Sequence, residues 1–357
     1  MSDVLLLDLL LHAWLIAVDV VVVVAVGRWR TRAVGVCGLG SLIAAVGVIA
    51  IARSLSEQTF PVMRGIGWVL FVHGPIDLFA AAWLSRSVAR SDALVLAVFG
   101  LGATLIGVDG YLVEPHWLVV ERFEVPVAGL EERLRIAVLA DLQSDVWGAY
   151  EERAFRRTME ERPDLIVFPG DFVQVDADGP AYEEQVAAMR RLLPILSAPL
   201  GQYAVQGNVD WRETWAYDLF ADTDVQAVRE TQSFAVGPIV LTAVSFLDGF
   251  DRQLELPHEG TFHVAMAHGP DFSLSDGVEA DLLIAGHTHG GQVQLPFIGA
   301  LLTYSWVPRA WGGGGMHDIG GGRTLVVSRG VGMERAYAPR LRFDCRPEIV
   351  IIDLVPK

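Results

Sequence analysis

A chain of 357 residues is long for one domain and suits two, and its 52% apolar content with mean hydropathy +0.39 exceeds what an ordinary water-soluble fold carries. The formal charge is −16, yet residues 1–109 hold seven arginines against seven acids, so all of the excess lies beyond residue 109. An acidic remainder lacks the basic face that neutralises phosphate backbones; it argues against nucleic-acid binding and suits a domain that gathers divalent cations. Cys37 and Cys345 lie in unlike surroundings and no CxxC occurs, so neither a disulfide framework nor a thiolate zinc site is expected.

Four apolar stretches come first, roughly Leu5–Val26, Ala33–Ala52, Ile66–Ser85 and Ala93–Val108, each near the ~20 residues needed to cross the hydrocarbon core. The first has no Lys or Arg before it, is too long for a signal peptide and lacks a small-residue cleavage site, so it reads as an anchor. Arg28, Arg30 and Arg32 follow the first stretch and Arg86 and Arg90 the third, against Arg53 and Arg64 after the second. Five against two places loops one and three in the cytoplasm and both termini outside. Residues 1–115 are thus expected to form a four-helix transmembrane region in a bacterial inner membrane, with the following domain on the periplasmic face. Asp8 and His12, and again His73 and Asp77, stand four apart and share a helix face. They are expected to bind helices together; a polar site or proton path, which Asp19 and Pro75 would also serve, is the alternative.

From residue 116 onward, short apolar runs alternate with amphipathic segments, the pattern of an α/β domain over 116–357. The informative residues stand directly after these runs. Arg135–Ala140 ends in Asp141-Leu142-Gln143, Leu165–Pro169 in Gly170-Asp171, and Gln202–Gln206 in Gly207-Asn208. Phe262–Ala267 ends in His268, and Leu282–Ala285 in Gly286-His287-Thr288-His289. Five strands each deliver a candidate metal ligand to the carboxyl edge, where open α/β sheets build their sites. Carboxylates, side-chain amides and imidazoles make a mixed N/O set suited to Mn, Fe or Zn rather than Ca.

These motifs resemble those of the calcineurin-like metallophosphoesterase family, in particular its membrane-associated branch. The resemblance covers about 116–357, and the block Ala285-Gly286-His287-Thr288-His289-Gly290-Gly291-Gln292-Val293 is its most specific part. Val113-Glu114-Pro115, Ser328-Arg329-Gly330-Val331-Gly332 and Arg346-Pro347-Glu348-Ile349 also fit. The resemblance implies a four-layer α/β/β/α sandwich holding two divalent metal ions. Asp141 and His289 would hold one, Asn208, His268 and His287 the other, and Asp171 would bridge them. It also implies two-metal hydrolysis of a phosphoryl bond.

Two positions depart from the family pattern. Gln143 replaces a histidine, as in relatives resembling manganese-dependent ADP-ribose hydrolases, which shifts the expected metals toward Mn or Mg with Mn favoured. Val209 replaces the histidine credited with assisting the leaving group, and Asp210 beside it is the candidate catalytic acid, acting through a water, unless it only fixes the loop. The expected function is a membrane-anchored phosphohydrolase acting on a phosphodiester or diphosphate of a membrane lipid or lipid-linked substrate. The alternatives are a metal-dependent binding module that has lost turnover, or a helical bundle regulated by the phosphoesterase domain. Trp211, Trp215 and Tyr217 read as helix packing with an apolar mouth as the alternative, and Gly312–Gly315 with Gly320–Gly322 as a hairpin connection. Nothing in the sequence sets an oligomeric state.

Overall fold

The computed structural model describes residues 2–176 and 179–357. The chain separates into two compact units. One comprises the residues up to Val113 together with Glu334–Arg340, and the other comprises Glu114–Met333 with Leu341–Lys357.

The first unit is helical, with helices Ser2–Arg28, Ala33–Leu55, Phe60–Ser85 and Arg90–Val108. All four are long and apolar enough to cross a membrane. The first buries Leu7, Leu11, Leu15, Val18, Val22 and Val26 at steps of three and four, while Leu5, Leu9, Val20 and Val24 point outward. A helix apolar all round is what hydrocarbon surroundings require. The third begins before the expected span, at Phe60, with Pro61 in its first turn, and widens into a π turn over Val69–His73. Pro75 explains the widening: it cannot donate to the carbonyl four residues back, and an extra residue in the preceding turn relieves its ring.

The polar residues of these helices meet across helices, with partners their spacing alone does not predict. Asp8 pairs with Arg64 at 2.8 Å. The Asp19 carboxylate accepts from His73 Nδ1 at 2.7 Å, and His73 Nε2 shares a 3.2 Å hydrogen bond with His12 Nδ1. His12 stacks on Trp68 with ring centroids 4.0 Å apart. Arg64, within the third helix rather than in a loop, also donates to the carbonyls of Ala336 and Ala338.

The second unit is two six-stranded sheets packed face to face. The first has the order β1-β14-β2-β3-β4-β5, built from Val119–Val127, Glu348–Pro356, Leu134–Val138, Leu165–Phe168, Gln202–Val205 and Val225–Val228. The second has the order β12-β13-β9-β8-β7-β6, from Gly315–Gly320, Arg323–Val327, Leu282–Ala285, His263–Met266, Ile239–Ala243 and Gln232–Val236. Val138, Val167, Ile352, Leu241, Val264 and Ile284 fill the space between the sheets. The central strands are apolar and buried on both faces, as in parallel sheets generally. Helices Ala149–Glu160, Pro180–Leu192 and Trp215–Phe220 cover the outer face of the first sheet through Phe155, Met189 and Trp215. The outer face of the second is covered by the 3₁₀ turn Pro270–Leu274 and short helix Arg309–Gly312, so the fourth layer of the sandwich is thin.

The ligand-bearing strands lie within one or two residues of the apolar runs in the sequence. Trp215 is buried against Phe172 and Phe220, whereas Trp211 and Tyr217 are exposed. Gly320–Gly322 carry the turn between β12 and β13, which are antiparallel. Cys37 and Cys345 are both free thiols.

Candidate metal centre

Strands β2, β3 and β4 run parallel, and each is followed three residues later by a site residue, Asp141, Asp171 and Asn208. In the facing sheet β8 and β9 are also parallel, and His268, His287 and His289 come after their carboxyl ends. Asp141, Gln143, Asp171, His287 and His289 all have left-handed backbone, with φ of 48°, 34°, 61°, 70° and 48°. Such conformations cost free energy in non-glycine residues and persist only where the surroundings impose them. Five of the seven candidate ligands therefore sit in backbone chosen for where it aims a side chain rather than for stability. Gly330 is one device that imposes it: a Cβ there would stand 2.7 Å from the Cβ of Asp141, so only glycine lets the 328–332 loop close over that carboxylate.

Two groups of donors form, with Asp171 common to both. In the first, one ligand atom from each of Asp141, Asp171 and His289 lies within 4.8 Å of the others, and all three residues are buried. In the second, the Pro169 carbonyl accepts from His268 Nδ1 at 2.6 Å and the Tyr304 carbonyl from His287 Nε2 at 3.3 Å. Those bonds fix the tautomers, leaving His268 Nε2 and His287 Nδ1 as the unprotonated nitrogens, each 2.9 Å from Asn208 Oδ1. Burial lowers both imidazole pKa values, that of His268 well below the ordinary range, so both are neutral at pH 7. Asp171 Oδ2 stands 3.6 Å from His268 Nε2, while its Oδ1 accepts from the Val209 N–H at 2.9 Å. Neutral imidazole nitrogens, an amide oxygen and two carboxylates aimed at one another are the donor set of hard-to-borderline divalent cations. The carbonyl behind each imidazole is the usual outer support of a metal-binding histidine. The residues therefore fit a divalent metal ion.

Gln143 is buried beside this cluster; its N–H donates to Asp171 O at 2.9 Å and its amide nitrogen to Gln174 Oε1 at 3.1 Å, which leaves the amide oxygen as the end with ligating chemistry. Asp210 requires a correction. Its Oδ2 accepts from the N–H groups of Asp171 (2.8 Å) and Gly207 (3.0 Å), and its Oδ1 from that of Phe172 (3.0 Å). Burial raises its pKa to about 6 against the opposing pull of those backbone donors. A carboxylate holding three amides of the ligand loops is a brace, and it is not placed to protonate a leaving group.

Sequence reasoning missed several groups that touch the site. The Phe250 ring stands edge-on to His287 with centroids 5.0 Å apart, and Tyr304 acts through its carbonyl, which any residue could supply. Arg342 is fully buried and donates to the carbonyls of Arg329, Gly330 and Gly332, tying down the loop that covers Asp141. A buried arginine among carbonyls leaves no mark in a sequence.

The arrangement, built between two mixed sheets, is of the kind a phosphoester hydrolase presents. Similarity to known proteins agrees, since residues 134–291 match the family described as calcineurin-like phosphoesterase. The chain is 32% identical over 215 residues to the uncharacterized metallophosphoesterase YkuE of Bacillus subtilis, covering 55% of this chain and 69% of that protein. It is 27% identical over 214 residues to the phosphodiesterase YaeI of Escherichia coli, covering 55% and 72%. A metallophosphoesterase of Aquifex aeolicus is 25% identical over 272 residues, 71% of this chain and 98% of that protein. The chain belongs to the calcineurin-like phosphoesterase family, whose members use divalent metals.

Proposed function

We propose that the protein is a membrane-anchored, two-metal phosphohydrolase that cleaves a phosphodiester or diphosphate bond in a lipid-linked substrate. The observation that carries this reading is the pair of converging donor groups sharing Asp171. Bound divalent cations would withdraw electron density from the phosphoryl group and make water a nucleophile near neutral pH. The protein's own part is positional. Asp171 supplies the shared negative charge, the Pro169 and Tyr304 carbonyls hold two imidazoles in the ligating tautomer, and Asp210 fixes the loops that carry Asp171 and Asn208.

The bond class comes from what the site lacks at position 209. Val209 cannot transfer a proton, and the Asp210 oxygens are engaged by backbone amides. An alkoxide leaving group must gain a proton, its conjugate acid having a pKa of about 15.7 like water, whereas a leaving phosphate has a second pKa of about 6 and needs none. Diphosphates and activated diesters are therefore favoured over alkyl monoesters, and the Escherichia coli relative's phosphodiesterase name is consistent with a diester.

Four membrane-length helices precede the domain, and β1 starts only a few residues after Val113. A short tether keeps the site at high effective concentration relative to lipid headgroups, which favours a lipid-linked substrate. The arginine distribution favours an inner-membrane protein with its catalytic domain on the periplasmic face, and Arg64, neutralised by Asp8, weakens the count on the opposing side. An alkaline phosphatase fused after Lys357 should be active and a fluorescent protein at the same place dark.

The activity test is a screen of the purified full-length protein with Mn, Mg, Zn and Fe, Mn being favoured, against alkyl monoesters, diesters, nucleotide diphosphates and their lipid-linked forms. Turnover that depends on metal and is greatest on lipid-linked diesters or diphosphates is expected. Metal binding without turnover on any of them would select the second reading, a metal-dependent binding module, which Val209 favours.

A further inference from the structure

Beside His287 the chain makes a hairpin and loop over residues 294–306 that displays apolar side chains to solvent. Phe297, at the tip between β10 (Gln294–Leu295) and β11 (Gly299–Ala300), is completely exposed, and Trp306 is 72% exposed; Ile298, Leu301 and Tyr304 are also exposed. Isolated exposed apolar residues are ordinary, but six within ten positions, Leu302 included, form a patch that calls for an explanation.

The loop is anchored firmly at its base. Gln294 Nε2 donates to the carbonyls of Gly290 (3.0 Å) and Gly313 (2.7 Å), joining the hairpin to the turn after His289. The Trp306 N–H donates to Asp271 Oδ1 at 2.9 Å, and Ser305 Oγ donates to the same oxygen. Thr303 and Val307 are buried, and the Tyr304 carbonyl accepts from His287 Nε2. Polar and small residues thus hold the backbone against the site while the large apolar ones are turned away from the core. Phe297 and Tyr304 keep left-handed backbone, φ 69° and 49°, to do so. Arg252 lies over the Trp306 ring, 4.7 Å from its centroid. Aromatic rings beside an arginine are the composition proteins present where hydrocarbon meets headgroups.

We infer that this rim is a specificity subsite that takes the hydrocarbon chain of the substrate whose phosphoryl group lies at the metal centre. The inference rests on the lipid-linked substrate proposed above. It identifies the occupant by two facts: the rim is joined through a single hydrogen bond to a candidate ligand, so whatever lies on it adjoins the reacting group, and the same chain carries four membrane-length helices.

The test uses the full-length protein in mixed micelles with Mn and two phosphodiesters that share a headgroup and differ only in a long or short alkyl chain. The readout is the ratio of kcat/KM for the long-chain substrate to that for the short. Wild type should prefer the long chain, and the double variant Phe297→Asp, Trp306→Asp should lower the ratio on the order of tenfold or more, as expected when the hydrocarbon loses its apolar partners. The variant Phe297→Leu, Trp306→Phe, which keeps apolar surface and guards against misfolding, should retain the ratio. A wild-type preference that survives the aspartates overturns the rim and leaves the lipid-linked reading standing. No wild-type preference overturns both.

Discussion

In the helical unit His73 reaches Asp19 on one side and His12 on the other, and Arg64 meets Asp8, so these side chains face complementary ones. In the α/β unit His268 Nε2 and His287 Nδ1 both face Asn208 Oδ1, and Asp141 and Asp171 stand together with His289. Acceptors there are gathered against acceptors. The first arrangement pairs donors with acceptors from neighbouring helices, the kind of contact that joins helices in apolar surroundings. The second is a cluster that a bound divalent cation would stabilise, and local stability is what such a site gives up for binding.

Asp171→Asn strikes the contrast hardest. It keeps an oxygen for the Val209 N–H yet removes the charge shared by both donor groups, and turnover should fall on the order of 10³-fold, comparable to loss of a main transition-state contact. Metal analysis of the purified variant should show less than the wild-type content. In chelator the same variant should melt higher than wild type by roughly 2–4 °C, about 1 kcal/mol, because one of the crowded charges is gone. Full activity in a folded variant would end the assignment of Asp171, and a lower melting temperature in chelator would end the contrast between the two units.

Asp210→Asn leaves one acceptor oxygen for three backbone donors and should cost about 1–3 kcal/mol in chemical denaturation. Activity should fall with stability while the pH–rate profile keeps its shape. Loss of the alkaline limb alone would restore Asp210 as a catalytic acid.

A smaller, graded effect comes from pH. The folded pKa values of His268 and His287 lie below the unfolded value of about 6.5, so the unfolded chain binds more protons once pH drops under that value. Stability of the chelated protein should therefore be fully present above pH 6.5 and decline below it, by about 1.4 kcal/mol per pH unit for each imidazole. Urea titrations at stepped pH would measure the slope, and metal affinity should fall in the same window, because ligating imidazoles must be neutral. A stability that rises on acidification would contradict the tautomer assignment.

The smallest effect belongs to the bundle. His73→Ala should cost about 1 kcal/mol in detergent, the ordinary worth of a hydrogen bond between helices. A loss of several kcal/mol would mean that Asp19 and His12 depend on it far more than a packing role requires.

The ligand-bearing strands were legible because two local signals coincide there, an apolar run and an abrupt turn into Asp, Asn or His. The family resemblance then placed Asp171 between the two donor groups. Other features lacked any such local signal. Asp8 pairs with Arg64 and His12 with His73 because of how the helices rotate against one another, and the π turn at Val69–His73 resets that rotation. Asp210 looks the same in sequence whether it donates a proton or braces amides, and only its three N–H partners separate the two. The Tyr304 carbonyl and the Arg342 guanidinium act through backbone atoms or on them, where residue identity carries little information.

Strand β14 has a consequence for biosynthesis. Residues 348–356 lie between β1 and β2, parallel to the first and antiparallel to the second, so they fill the interior of a sheet whose other members are all made earlier. Until the ribosome has passed residue 356, β1 has no neighbour to pair with and the inter-sheet core lacks Val350, Ile352 and Leu354. The domain must therefore wait, unfinished, behind helices already made. If it is exported it crosses as an open chain, and a nonsense mutation just before residue 348 would be as damaging as one near the middle.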